Sequence, residues 1–348
     1  MRGVTISDGR LRGCYSLRAW GLTVCLMGLV VTTTAAWAEP DDPGERNKAT
    51  AFDCGKLKNQ AMPNSPDEWF ERSLWANHCY IFEARAVRIG PEGIRTLALS
   101  HDIEHGEEHN VARLLDGPPI VFERRGRIGL GGWSGENANP VALPSAIMRH
   151  LDDHYRLSLS GEERIAGRPA QRLDIEPLDD MRYGHRLWLD KQTALPLKRM
   201  LINERGQMLE TFQITDLEEP RVHGGEVILD EQRVPPEDPW RLNWLPPGYR
   251  PLPVAPQRSM HRTIVEQRLF SDGLSDISLF VESIQGEEFM LAPGLHRLGI
   301  SYAAVRHIEV DNDPMQIIAL GELPPEVLLK IIDEIVWSPD ATNGDEAP

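Results

Sequence analysis

The sequence predicts a mainly β protein with a few helices, organised as two domains. Three observations carry that reading. Two groups of short segments, through 80–217 and through 262–320, place apolar residues at every second position and are separated by turn residues. Between them, 219–244 holds Pro220, Pro235, Pro236 and Pro239 with little periodicity, the pattern of a linker. A single strong helix signature, Ser65-Pro66-Asp67-Glu68, precedes the first group. The expected division is a larger β domain at 39–218, the linker, a smaller α/β domain at 245–338 and a polar tail at 339–348.

The elements follow in order. Arg2, Arg10, Arg12 and Arg18 precede an apolar run at 19–31, and small residues lead to Ala36-Trp37-Ala38. These are the n-region, h-region and cleavage site of a secretory leader, so 1–38 is expected to be removed after Ala38 and the chain exported. The run is short for a membrane-spanning anchor. Mature Cys54 and Cys79 are then exposed to an oxidising compartment, where they can pair as a disulfide. A metal is the other use of such thiols, but two cannot complete a tetrahedral site alone.

Ser65 reads as an N-cap with Pro66 at the first helical position and Glu68 closing a capping box, ahead of Trp69, Phe70, Leu74 and Trp75. This helix is expected to end near Asn77. Strands are expected at 80–89, 94–99 and 120–125, and a second helix at 144–153. A β-meander then reads as 155–160, 171–176, 183–190, 195–203 and 208–217. Five strands at that spacing imply a curved antiparallel sheet or partial barrel. In the second domain, alternation marks 262–271, 277–283, 301–309 and 316–320, with a helix at 324–336.

Composition excludes several classes. A hydrophobic fraction of 41% is enough to build a core, so wholesale disorder is excluded. With 37 Lys+Arg against 53 Asp+Glu, the formal net charge is −16, which disfavours nucleic acid as a partner. Losing the leader, with four arginines and one aspartate, makes the chain more acidic still.

The chemical motifs are few. His101, His105 and His109 would share one face of a helix and could chelate a metal. Gly106 and the flanking alternation instead place 101–109 in a solvated loop between strands. His150 and His154 lack the glutamate of H-E-x-x-H and read as helix surface. The run Gly129-Leu130-Gly131-Gly132-Trp133-Ser134-Gly135 fits neither a phosphate loop nor a nucleophile elbow, and reads as a turn. Asp311-Asn312-Asp313 begins like a calcium loop, but Pro314 follows and the closing glutamate is absent. Nothing sets a nucleophile beside a base, so no enzyme and no cofactor is expected. Arginines such as Arg258, Arg262, Arg268, Arg297 and Arg306 put local positive charge on an acidic protein, suited to anionic head groups or an acidic partner segment.

Several stretches, in order, carry a family resemblance. They are Leu115-Asp116-Gly117-Pro118-Pro119, Glu162-Glu163-Arg164-Ile165-Ala166-Gly167-Arg168-Pro169-Ala170-Gln171 and Tyr183-Gly184-His185-Arg186-Leu187-Trp188-Leu189-Asp190. The second domain adds Leu245-Pro246-Pro247-Gly248-Tyr249, Phe270-Ser271-Asp272-Gly273-Leu274-Ser275 and Leu320-Gly321-Glu322-Leu323-Pro324-Pro325. The ordered set resembles the MucB/RseB family of periplasmic regulators of sigma-E. At Asn77-His78-Cys79-Tyr80 the chain departs from the family's usual Gly-Thr-Phe element, and the histidine-rich 101–109 is likewise outside its pattern.

The resemblance implies a LolA/LolB-like curved, unclosed antiparallel half-barrel with packed helices, followed by a smaller α/β domain. It implies binding to the periplasmic region of a membrane-spanning anti-sigma factor of RseA/MucA type, shielding it from regulated proteolysis. Lipopolysaccharide or acyl lipid is implied as the releasing signal, and a homo-oligomer is left open. On that reading Arg258, Arg262, Arg268, Arg297 and Arg306 are the candidates for head-group contact. Phe82, Tyr183 and Trp188 are the candidates to line the cavity, and the linker would let the domains rotate. The alternatives are a periplasmic lipid or lipoprotein carrier without an anti-sigma partner, and a metal-dependent hydrolase built on His101, His105 and His109.

Overall fold

A computed structural model describes residues 50–126, 132–134, 144–229, 240–252, 265–284, 291–310 and 312–337. The leader, most of the glycine-rich run at 129–135, Arg258, Arg262, Asp311, the side chain of His150 and the polar tail lie outside the described residues.

β1 (Thr50–Asp53) and α1 (Lys56–Asn59) come first, followed by α2 (Pro66–Cys79). The capping box forms as its sequence dictates. Ser65 Oγ accepts the Glu68 N–H at 3.2 Å, and Glu68 Oε2 accepts the Ser65 N–H at 3.4 Å. The helix runs two residues beyond Asn77 to Cys79, which is disulfide-bonded to Cys54.

The larger sheet takes β2 (Tyr80–Gly90), β3 (Gly93–Glu104), β4 (Glu107–Leu114), β5 (Val121–Gly126) and β6 (Gly132–Ser134) before the helix α3 (Pro144–Leu151). After it come β7 (Tyr155–Ile165), β8 (Arg168–Pro177), β9 (Gly184–Asp190), β10 (Pro196–Ile202), β11 (Met208–Leu217) and β12 (Arg221–Val222). The spatial order is β6-β5-β4-β3-β2-β11-β10-β9-β8-β7, with β12 also on β2. Every pairing is antiparallel and the sheet is open. It must curl, because α2 touches β4 through His78 and Glu108 and also packs on β7 and β8. Seven strand spacings separate β4 from β7. A flat sheet would set them roughly 34 Å apart, whereas a helix is only about 10–12 Å across. The core enclosed by the curl joins Trp69, Phe70 and Ala76 of α2 to Ile147 and Leu151 of α3 and to Ile103, Leu173, Ile175, Leu187 and Leu189 of the sheet.

Of residues 219–244, expected as a linker, the described ones make three short pairings. β12 pairs with β2, β13 (Glu226–Leu229) pairs with β1, and β14 (Trp240–Leu242) joins the second lobe. There the sheet comprises β15 (Arg250–Leu252), β16 (Val265–Ser271), β17 (Asp276–Ser283), β18 (Gly294–Leu298), β19 (Ser301–Val310) and β20 (Asp313–Gly321), ordered β15-β16-β17-β20-β19-β18. The helix α4 (Pro325–Asp333) buries Val327, Leu328, Ile331 and Ile332, the spacing of one helical stripe, against Ile277, Leu279, Ile317 and Ala319.

Three expectations are corrected. The 101–109 stretch is not a loop but the β3–β4 hairpin, turning at His105 and Gly106, and His101 and Glu108 are buried in it. Gly132–Ser134, read as a turn, pairs with β5. The last helix stops at Asp333, and β21 (Ile335–Trp337) pairs instead with β14.

Candidate binding site

A loop of the second lobe reaches into the first. Ser271-Asp272-Gly273-Leu274-Ser275 connects β16 to β17 and enters the first lobe. Leu274 packs against the core beneath α2, and Gly273 lies so close to Ile147 of α3 that a Cβ would sit 3.0 Å from its Cα. With φ at +99°, that position also favours glycine on backbone grounds. Asp272 is fully buried. Its Oδ2 accepts from Arg182 Nη1 at 2.9 Å and from Tyr155 Oη at 2.7 Å, while Oδ1 accepts the Ser275 N–H at 2.9 Å. Arg182, equally buried, donates through Nη2 to Pro247 O at 2.6 Å and pairs with Asp179. Tyr155 and Tyr249 flank its guanidinium, at 5.4 and 5.5 Å from their ring centroids. Burial, and then the Asp272 charge, push the Tyr155 phenol well above its ordinary range, so it stays a donor. Every strong acceptor at the seam has a donor, so the arrangement is a clasp rather than a vacant site.

A second ionic cluster stands where α2 ends over the larger sheet. Glu108 of β4 accepts from His78 Nδ1 and from Arg124 Nη2, both at 2.6 Å, and His101 Nε2 lies 3.4 Å away. His101 Nδ1 donates to Tyr80 O at 2.5 Å. Burial alone would raise the Glu108 carboxyl, but the two histidines and Arg124 hold it far below the usual carboxylate range. His105, by contrast, is exposed at the hairpin turn and His109 pairs with Glu123 at 2.7 Å. The three histidines therefore do not converge, and among the described residues no group of three or more His, Cys, Asp or Glu side chains is placed to hold a metal ion.

The candidates to line a cavity part company. Phe82 is half-buried and touches the core under α2, with its ring 5.7 Å from that of His101. Tyr183 belongs to the seam, where it donates to Leu323 O at 3.1 Å and packs with Leu201 and Ile300. Trp188 is buried among Ala170, Leu197 and Ile214, with Lys198 Nζ 4.4 Å from its centroid. Both Tyr183 and Trp188 are buried, the first bonded through its hydroxyl and the second covered by Lys198. A cavity of about 360 Å³ does open elsewhere, beside the stacked Phe52 and Trp75 rings, with Met62, Glu71 and Arg72 in its wall.

The arginines are spread over three strands rather than gathered. Arg268 lies over the Trp240 ring at 3.6 Å and donates to Trp240 O. Arg306 donates to Ile332 O and Asp333 O at the end of α4, where a cation suits the helix dipole. Arg297 is exposed and donates to Gly299 O. Sequence reading missed Asp272 and Arg182 as partners. The one signal was the Ser271–Ser275 motif itself, which no periodicity explained.

Comparison with known proteins completes the picture. A model of the MucB/RseB N-terminal domain matches residues 132–237, and one of the MucB/RseB C-terminal domain matches residues 234–336. The sigma factor AlgU regulatory protein MucB of Pseudomonas aeruginosa is 35% identical over 191 residues, covering 50% of this chain and 58% of that protein. The sigma-E factor regulatory protein RseB of Escherichia coli K12 is 26% identical over 286 residues, 73% of this chain and 85% of that protein. Among solved structures, the Pseudomonas aeruginosa MucA/MucB complex superposes with a TM-score of 0.61 at 27% identity, covering 78% of this chain and 99% of the matched chain.

Proposed function

Since the chain belongs to the MucB/RseB family, we propose that it is an exported regulator which binds the periplasmic segment of a membrane-spanning anti-sigma factor. Binding shields that segment from regulated proteolysis and so restrains a sigma-E-type envelope stress response. It acts in the periplasm as a binding protein and not as an enzyme.

One observation carries this reading. The similarity to MucB of the MucA/MucB complex extends through both lobes. The loop that clasps them, Ser271 to Ser275, is one of the family stretches, and its fully buried Arg182–Asp272 pair holds the lobes in one arrangement. A long partner segment can be gripped across both lobes only if their relation is fixed.

Lipid or lipopolysaccharide is the releasing signal in this proposal. It can act only by binding the partner-free form better than the bound one. At roughly 0.8 kcal/mol per buried methylene, a few acyl chains together can outcompete a micromolar peptide contact of about 8 kcal/mol. Isothermal titration of the mature chain with the periplasmic segment of the anti-sigma factor from the same genome tests the proposal. Saturable binding, weakened by lipopolysaccharide, is expected. No binding, with or without lipid, would overturn it.

A further inference from the structure

The cavity of about 360 Å³ beside Phe52 and Trp75 shares no residue with the seam or with the ionic cluster at Glu108, and every residue of its wall is described. One wall is a face of α2. Glu68, Glu71, Arg72 and Trp75 are spaced i, i+3, i+4 and i+7, so they line one side of the helix over about 10 Å. The other wall is the irregular arm at 60–64 that joins α1 to α2.

Local bonding fixes both walls. Arg72 Nη1 donates to Ala61 O at 2.9 Å and Nη2 to Leu57 O at 3.5 Å. At the other end of the arm, Glu68 Oε2 accepts the Asn64 N–H at 2.7 Å. β1 is held as well, because Phe52 stacks on Trp75 with ring centroids 3.6 Å apart and Cys54 is bonded to Cys79. The hollow is therefore preformed, at the small end of the roughly 300–1,000 Å³ range of ligand sites.

The lining selects by charge. The guanidinium of Arg72 is turned to two backbone carbonyls, and neither Glu68 nor Glu71 has a cation partner among the described residues. Gln60 and Asn64 add amide oxygens to the same wall. Ammonium groups only donate, so a wall of acceptors suits them. The aromatic pair suits them too, and Lys56 Nζ already stands 5.9 Å from the Phe52 centroid, outside the wall. Met62 and Pro63 offer apolar contact to a methylene chain between charged ends. An anion would meet two carboxylates on a chain of net charge −16. An acyl chain would bury those carboxylates without partners.

We propose that this cavity binds a linear aliphatic polyamine, with one ammonium group at Glu68 and Glu71 and another against the Phe52–Trp75 pair. The site stands independently of the anti-sigma reading.

Isothermal titration of the mature protein with spermidine tests it, and saturable one-to-one binding is expected. Glu68→Gln with Glu71→Gln should weaken that binding about 10-fold or more. Glutamine at 68 still closes the capping box, so α2 is kept, and thermal melts check each variant. If the double variant fails to fold, Glu71→Gln alone should still weaken binding several-fold. Glu83→Gln with Glu176→Gln removes the same charge from exposed positions elsewhere and should bind within about twofold of wild type. Equal loss in the two double variants would mean diffuse attraction to an acidic chain and would overturn the site. Displacement of spermidine by equimolar magnesium, or no binding to the wild-type protein, would overturn it as well.

Discussion

The seam between the lobes and the far end of the larger sheet use the same materials to opposite ends. At the seam, Arg182 and Asp272 are fully buried, each is multiply bonded, and the apolar Leu274 is packed in the neighbouring lobe's core. At the far end, Arg95 and Arg113 stand in solvent beside exposed Ile120, Val121 and Phe122. Desolvation explains the difference. A buried charge must be met on all sides, which fixes geometry, whereas a solvated arginine beside an apolar strip keeps its freedom until a partner removes the water.

Breaking the seam should have the largest effect. Arg182→Met leaves Asp272 buried without its cation and should cost about 3–5 kcal/mol, read as a lowered thermal midpoint. The Asp272→Asn, Arg182→Met pair should recover part of that loss. Reducing Cys54–Cys79 comes next. It frees a loop of sequence separation 25 and should remove about 3 kcal/mol on the chain-entropy model, measured by denaturant unfolding with and without reductant. Glu108→Gln keeps the shape but strips the charge that His78 and Arg124 face, and should cost about 2 kcal/mol by the same measurement.

The smallest effect sharpens the contrast from the acidic side of the seam. Burial first, and then the charges of Asp272 and Glu322, push Asp276 up from 3.8 to about 6. A carboxyl raised on folding contributes stability at low pH and loses it as pH climbs through that folded value. Between pH 7 and pH 5.5, therefore, acidification should protonate Asp276 and raise the melting temperature slightly. Asp276→Asn should raise the midpoint at pH 7 and abolish that part of the pH response.

Local features were legible in the sequence. The Ser65–Glu68 box announced α2, and period two announced β2, β7 and β9. β4 was not, because its inward positions are Glu108, Asn110, Ala112 and Leu114, so the buried face carries charge and amide rather than an apolar pattern. Arg182 and Asp272 are 90 residues apart, and no spacing rule joins them. Val121 and Phe122 read correctly as strand, but their exposure depends on what lies over each face of the sheet, a tertiary fact. Alternation placed Tyr183 and Trp188 on a face of the sheet without saying what lies against it: Leu201 and Ile300 for the first, Ala170, Leu197 and Ile214 for the second.

Hydrogen exchange of the mature protein, alone and saturated with the anti-sigma peptide, tests the central claim that the Arg182–Asp272 clasp keeps the lobes in one arrangement while the partner is held. Amides at 181–183 and 271–275 should exchange equally slowly in both states. Faster exchange at these amides in the saturated protein would contradict it.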